Sequence, residues 1–445
     1  MASSRKLLIA ALLALLGILL LANSAAAYSV LTHEQIVDLL WDQQIKPLLL
    51  QRFPGATPDQ LREAHSYAYG GCLIQDMGYY PFGSKYFSNL VHYVRSGDFV
   101  DTLISDSQDL NEYAFALGAL SHYAADISGH PTVNRAVGML FPKLSAKYGG
   151  AVTYAEDKKA HIRTEFGFDM AQVAKARYAP DAYHDFIGFN VAKPALERAF
   201  LKTYGIELNT VLTHEDLSIG SYRRSISVFI PKLTQVALKS HKVEIFKDPP
   251  PGYTKKKFLY NLKRADYEKE FGKSYKRPGI GTRFLVFLFR VIPKVGPFSA
   301  FAFKAPTPKI EEMYFKSVND TVDVYRTELA GLKNGPPQLP NDDFDTGKPT
   351  KAGEYSLTDE TCARLLHDLV THKFDHLTPD LRQNILGFYS DLNAPIATKK
   401  HTKDWQQTLR DLDQLRAAAP VIPESADAPP AVPTQVPHAV SPHLN

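Results

Sequence analysis

Ser121-His122-Tyr-Ala-Ala-Asp126-Ile-Ser-Gly-His130, followed at a distance by His161-Ile-Arg-Thr-Glu165, is the stretch around which this chain is organised. The segment leading into it, Tyr113–Ile127 (YAFALGALSHYAADI), is dominated by Ala and Leu, and only Gly118 weakens it before Gly129. That composition predicts a buried helix. An i,i+4 step advances a helix by about 40° past a full turn, so His122 and Asp126 share one face. His161 and Glu165 repeat the spacing on a second candidate helix. Imidazole nitrogen and carboxylate oxygen are donors that suit zinc, and an i,i+4 pair offers two of them to one ion without distorting the backbone. A single His-x-x-x-Asp pair is more often a surface contact or a core hydrogen bond. Two such pairs, with His130 between them and the first pair set in an apolar helix, point to a metal site, because imidazole and carboxylate buried among Ala and Leu are costly unless something compensates them.

The first 27 residues read as a secretory signal peptide. Arg5 and Lys6 precede the unbroken apolar run Leu7–Leu21, and Ala25-Ala26-Ala27 supplies a small-residue cleavage site. The run is short for the roughly 20 residues of a spanning helix. Cleavage is expected between Ala27 and Tyr28, giving a secreted or periplasmic protein; an uncleaved anchor is the other reading. Net charge is small, with 51 basic against 47 acidic residues, so nothing in bulk electrostatics supports a stable nucleic-acid complex. The two cysteines, Cys72 and Cys362, supply neither a disulfide framework nor a Cys-type zinc site. Any zinc is therefore held by nitrogen and oxygen.

Along the chain the pattern is helical throughout, and the fold expected is all-α. Thr32, with Gln35 in the capping-box position, is the expected N-cap of the first helix, which places His33 in its first turn. Further helices are expected over Pro58–Tyr69, Phe87–Arg95 (carrying His92), Tyr154–Phe166, Asp181–Phe186, Lys193–Tyr204 and Tyr222–Ser240. Between the second and third lie Asp76 and an aromatic loop with Tyr79, Tyr80 and Phe82. Beyond Lys242 the texture changes. Lys255–Lys263 is basic with interleaved aromatics. Phe284–Phe303 is strongly apolar but broken by Arg290, Pro293, Lys294 and Pro297, so it is either a buried segment or a membrane-interface element and not a continuous span. Ile310–Leu332 returns to helix, Gly335–Lys351 reads as a Pro/Asp/Gly-rich linker, Ser356–Leu392 as a helical hairpin and Trp405–Ala418 as a last helix. His367, His372 and His376 lack acidic partners at regular spacing and are expected at the surface. The divisions expected are residues 28–245 as the main helical domain, 246–345 as an extension packed on it, 346–417 as a small helical module, and 418–445 as a Pro/Ala-rich disordered tail.

Taken together, Tyr28, His33, Asp76, His92, His122, Asp126, His130, His161 and Glu165 resemble, in order, the ligand series of the zinc-dependent phospholipase C family, which shares its fold with the S1/P1-type nucleases. The resemblance covers about 28–242. It implies a multi-helix domain with three zinc ions: one on Asp76, His92, His122 and Asp126; a second on His130, His161 and Glu165; and a third on the amino and carbonyl groups of a mature Tyr28 terminus with His33 and the other oxygen of Asp126. Three departures stand out. Tyr replaces the usual terminal Trp, His130 follows Asp126 by four residues where the best-known members have six, and the gap to His161 is longer than in the phospholipases.

The resemblance further implies hydrolysis of a phosphodiester by a zinc-bound hydroxide, since zinc lowers the pKa of bound water to about 7 in suitable sites, with Asp76 as a catalytic residue that orients the nucleophile. The expected substrate is a phospholipid, with peripheral contact to a membrane surface. The alternatives are a nuclease or other phosphodiesterase, which would want an aromatic platform for a base, and a zinc-stabilised binding protein without turnover; Tyr79, Tyr80 and Phe82 could serve either substrate, but the reading favoured for them is a packed loop.

Overall fold

The computed structural model describes residues 29–174, 188–230, 303–335 and 337–421. Residues 1–27, Tyr28, Asp181–Phe186, the far end of Tyr222–Ser240, Lys255–Lys263, all of Phe284–Phe303 but its last residue, and the residues beyond Val421 lie outside the described residues. Helix α1 (Val30–Leu40) runs through a π turn into α2 (Lys46–Arg52) and is followed by α3 (Pro58–Gly71). A 3-10 turn (Ile74–Tyr79) leads to α4 (Lys85–Tyr93), α5 (Ser96–Ser105) and the 31-residue α6 (Leu110–Leu140). Next come α7 (Pro142–Tyr148), α8 (Lys158–Ala174), α9 (Lys193–Tyr204), α10 (Leu208–Val211) and α11 (Glu215–Arg224). The C-terminal part comprises α12 (Pro308–Gly331), a two-stranded hairpin of β1 (Asp342–Asp343) and β2 (Lys348–Pro349), then α13 (Ser356–Thr371), α14 (Pro379–Phe388) and α15 (Thr402–Ala417). The fold is all-α, as expected.

Helix α6 is the axis, buried along nearly its whole length, with α3 and α12 packed against it. The α3 contact depends on missing side chains. A Cβ on Gly118 would stand 2.1 Å from the carbonyl oxygen of Ala68, and one on Gly71 would stand 1.9 Å from that of Phe115. Gly118 therefore trades helix propensity for close backbone approach. On the other flank, the Tyr325 hydroxyl of α12 donates to the Leu117 carbonyl at 2.9 Å. Pro131 does not end α6, and the helix continues to Leu140. Because proline lacks an N–H, it offers the Ile127 carbonyl no hydrogen bond.

Two expectations change in three dimensions. Ser29, not Thr32, is the N-cap of α1. Thr32 lies inside the helix, where its hydroxyl donates to Asp169 Oδ1 (2.6 Å) while the Leu31 N–H donates to Asp169 Oδ2 (2.9 Å). A tertiary carboxylate from α8 thus serves the donors that a local cap would otherwise take. By contrast, Thr57 and Gln60 form the complete reciprocal capping box of α3. Cys72 and Cys362 are both buried and free.

The second change is the larger. Gly335–Lys351, expected as a linker, carries the hairpin, with Asp342 paired to Pro349 and Asp343 to Lys348. The arm is fixed to the α4–α5 corner: the Ser96 hydroxyl donates to the Asp342 carbonyl (2.6 Å), the Asp98 N–H to Asn341 Oδ1 (3.0 Å), the Thr350 hydroxyl to the Tyr93 carbonyl (3.0 Å) and the Phe344 N–H to the His92 carbonyl (3.1 Å). Its tip, Phe344–Gly347, reaches α6. Gly347 has φ +65°, and a Cβ there would lie 2.6 Å from the Ile127 carbonyl oxygen and 3.0 Å from the Pro131 ring. The expected boundary at residues 345 and 346 falls inside this tip.

Candidate metal centre

Four-residue spacing on α6 aligns His122, Asp126 and His130 on one face, and Asn134 extends the row by another turn. Helix α8 brings His161 and Glu165 opposite, α1 brings His33, the 3-10 turn brings Asp76 and α4 brings His92. All eight predicted ligands within the described residues are buried, the most exposed at 3%. Their donor atoms form three groups: Asp76, His92 and His122; His33, His122 and Asp126; and His130, His161 and Glu165. The first and third follow the expected sets, with Asp126 touching the first. The second shares His122 with the first, and the His33 and His122 rings stack at 4.5 Å. Tyr28, the remaining expected ligand, lies outside the described residues.

The separations test whether zinc fits. Two donors on one tetrahedral zinc, each about 2.0–2.2 Å from the ion, lie roughly 3.3–3.6 Å apart. Asp126 Oδ2 stands 3.2 Å from His122 Nε2, 3.4 Å from His130 Nε2 and 3.5 Å from His92 Nε2; Asp126 Oδ1 stands 3.6 Å from His33 Nε2. Asp76 Oδ1 is 3.4 Å from His92 Nε2. These distances match tetrahedron edges better than hydrogen bonds. Accordingly, both Asp126 oxygens, Asp76 Oδ1, both His130 nitrogens, His161 Nδ1 and Glu165 Oε1 are buried without a hydrogen-bond partner. Buried polar atoms are rarely left so, and here the orphans converge. Only His161 Nδ1 and Glu165 Oε1, at 2.6 Å, stand closer than two ligands of one ion would.

The outer atoms of three of the imidazoles are fixed, which aims the inner ones. His122 Nδ1 donates to the Cys72 carbonyl (3.0 Å), His92 Nδ1 to the Ser88 carbonyl (2.7 Å) and His161 Nε2 to Asn134 Oδ1 (2.8 Å). Such outer partners set the tautomer of a metal-binding histidine. The charges of the metal-free site tell the same story. Burial holds His33 and His161 down to about 3, so both are neutral donors. Burial also pulls on His92 and His130, but Asp126 with Asp76 for the first, and Asp345 with Asp126 for the second, push them up to about 10 and about 9. Against the upward pull of its own burial, Asp126 is held well below the usual carboxylate range by His122 and His130. Protons on histidine thus balance the buried carboxylates where metal cations would.

Sequence reasoning missed Asn134, Phe344 and Asp345. Asn134 continues the four-residue row on α6, a signal that was there to be read. Phe344 and Asp345 carry no local signal: the hairpin tip brings them in from more than 200 residues away. The Phe344 ring packs on His92 (5.2 Å), Tyr123 (5.5 Å) and His122 (6.2 Å) and covers this side of the centre. The aromatic trio does not form a platform. Tyr79 and Tyr80 are buried, against His92 and Tyr154 and against Tyr222 respectively, and only Phe82 is exposed, at 55%. His367, His372 and His376 lie on the surface, as expected.

Residues 32–213 match the family model described as zinc dependent phospholipase C. No curated protein and no solved structure is similar enough to match.

Proposed function

Because residues 32–213 belong to the zinc-dependent phospholipase C family, we propose that this chain is an exported phosphoric ester hydrolase that cleaves the phosphodiester of a phospholipid at the α1–α4–α6–α8 centre. The observation that carries the reading is the set of tetrahedron-edge separations among Asp76, His92, His122, Asp126 and His33, with Asp76 Oδ1 and both Asp126 oxygens lacking hydrogen bonds. Bound zinc would supply a Lewis acid for a phosphoryl oxygen and a water acidic enough to ionise near neutral pH. The chain's own residues do the rest. Asp126 presents one oxygen to His33 and the other to His92 and His122, so both of its oxygens would be available to hold metal. Asp76, facing His92 Nε2 at 3.4 Å, would orient the attacking water and take up its proton. Tyr79 and Phe344 pack on the His92 ring and exclude bulk water from that side.

Phospholipid is favoured over nucleic acid because Tyr79 and Tyr80 are buried, which leaves only Phe82 of the aromatic trio exposed for stacking on a base. Export rests on the leader sequence, and it makes a chemical demand. A free amino group at Tyr28 can chelate, whereas the amide nitrogen of an uncleaved chain cannot.

The test is to purify the processed protein, determine its first residue, count zinc by elemental analysis, and compare hydrolysis of phosphatidylcholine with that of single-stranded DNA. About three zincs, Tyr28 first and lipid cleavage abolished by chelator are expected. Adding one residue before Tyr28 is expected to lower the zinc count by one. One zinc or none in the processed protein would overturn the reading, and DNA cleavage without lipid cleavage would replace it with the nuclease reading.

A further inference from the structure

The hairpin tip does more than cover the centre. Asp345 is buried, and its two carboxylate oxygens have different surroundings. Oδ2 accepts hydrogen bonds from the Tyr93 hydroxyl at 3.0 Å and from the Tyr355 hydroxyl. Oδ1 faces His130 Nε2 at 3.3 Å, a tetrahedron edge, and that nitrogen makes no hydrogen bond. The Asp345 main-chain carbonyl accepts from Asn134 Nδ2 at 2.8 Å, while Oδ1 of the same amide accepts from His161 Nε2. One side chain on α6 therefore sets the position of the hairpin tip and the orientation of His161 together.

We propose that Asp345 is a ligand of the second zinc site, completing a set of His130, His161, Glu165 and Asp345 from a segment outside the family-matched region. This rests on the metal-centre reading above and extends it. Three donors leave a position open, whereas four protein donors satisfy tetrahedral zinc. A phosphoryl oxygen then reaches this ion only as a fifth donor or by displacing the carboxylate. The spacing departure at His130 fits the same picture. With only one turn between Asp126 and His130, His130 Nε2 lies between the Asp126 carboxylate and the hairpin carboxylate. The hairpin also has the rigidity a ligand needs, because its backbone is tied to residues 92–98 and its tip to α6.

The experiment uses the full processed chain. Zinc content is measured after equilibration with graded chelator for wild type, Asp345→Asn and Tyr355→Phe. Cobalt-substituted samples report coordination number through their visible absorption. Losing a group that only steadies a ligand typically costs about 10–100-fold in metal affinity. That range is expected for Tyr355→Phe, and a larger loss at one site, with an altered cobalt spectrum, for Asp345→Asn. Wild-type affinity and spectrum in Asp345→Asn would overturn the proposal while leaving the metal centre standing; wild-type protein without zinc would overturn both. Should Asp345→Asn fail to fold, a crystal structure of zinc-loaded wild type decides. A zinc–Oδ1 distance of about 2.0–2.2 Å supports the assignment, and one beyond about 3 Å refutes it.

Discussion

Gly118→Ala is the perturbation that best tests how the fold holds the centre. In an exposed helix interior this substitution stabilises by up to about 1 kcal/mol through propensity. Here the new methyl would lie 2.1 Å from the Ala68 carbonyl oxygen and 2.9 Å from the Cys72 backbone nitrogen, where ordinary contact begins at 3.4 Å. The deficit at the carbonyl is 3.4 − 2.1 = 1.3 Å, and both obstacles are backbone, so α3 and α6 must separate. Overpacking of this kind costs about 1–3 kcal/mol. Set against a propensity gain of about 1 kcal/mol, a net loss of up to about 2 kcal/mol is expected, or up to roughly 8 °C in Tm for a domain of this size. The same displacement moves the Cys72 carbonyl away from His122 Nδ1, so zinc affinity is expected to fall by about 10–100-fold, as when an outer-shell partner is lost. Gly220→Ala on α11, with nothing within 4 Å of the new methyl, is the control and should be neutral or stabilising. Thermal unfolding of the metal-free proteins and competitive zinc titration measure both effects. If Gly118→Ala raises Tm as the control does and leaves zinc affinity unchanged, the close-approach argument is wrong.

Zinc loading should expel protons, because His92 and His130 are held protonated at neutral pH in the metal-free site and must be neutral to ligate; at least two protons per chain are expected by dye or pH-stat at pH 7, and their absence would refute the charge assignment. Asp101 is pushed up to about 7 by burial. Its folded pKa thus lies above its unfolded value of 3.8, so the stability it contributes is full below about pH 4 and lost as pH rises through 7. Asp101→Asn should raise Tm at pH 8 and leave it nearly unchanged at pH 4; an equal shift at both would count against this. Asp169→Ala removes the acceptor for Leu31 N–H and the Thr32 hydroxyl, so a loss of about 0.5–2 kcal/mol is expected by analogy with a lost N-cap, together with weaker zinc binding at the site that uses His33. Unchanged zinc binding would show that α1 is positioned by other contacts.

The sequence by itself determined the helical class, most helix positions and the pairing of candidate donors on helix faces, because those are local properties. A four-residue step puts His122 with Asp126 and His161 with Glu165 on a face wherever the helix is placed, and Thr57 with Gln60 caps α3 from within its own first turn. Tertiary structure decided what depends on neighbours distant in the chain. Thr32 lost its capping role because Asp169, 137 residues away, took the donors of that turn. A packed loop was legible at Tyr79 and Tyr80, but not the partners that bury them, Tyr154 and Tyr222, which come from elsewhere in the chain. The stretch around Asp345 reads locally as turn-forming and polar, and nothing within it states that Asn134, Tyr93 and Tyr355 wait to receive it. A carboxylate's role follows from the donors and cations that surround it, and those surroundings are assembled only when the chain folds.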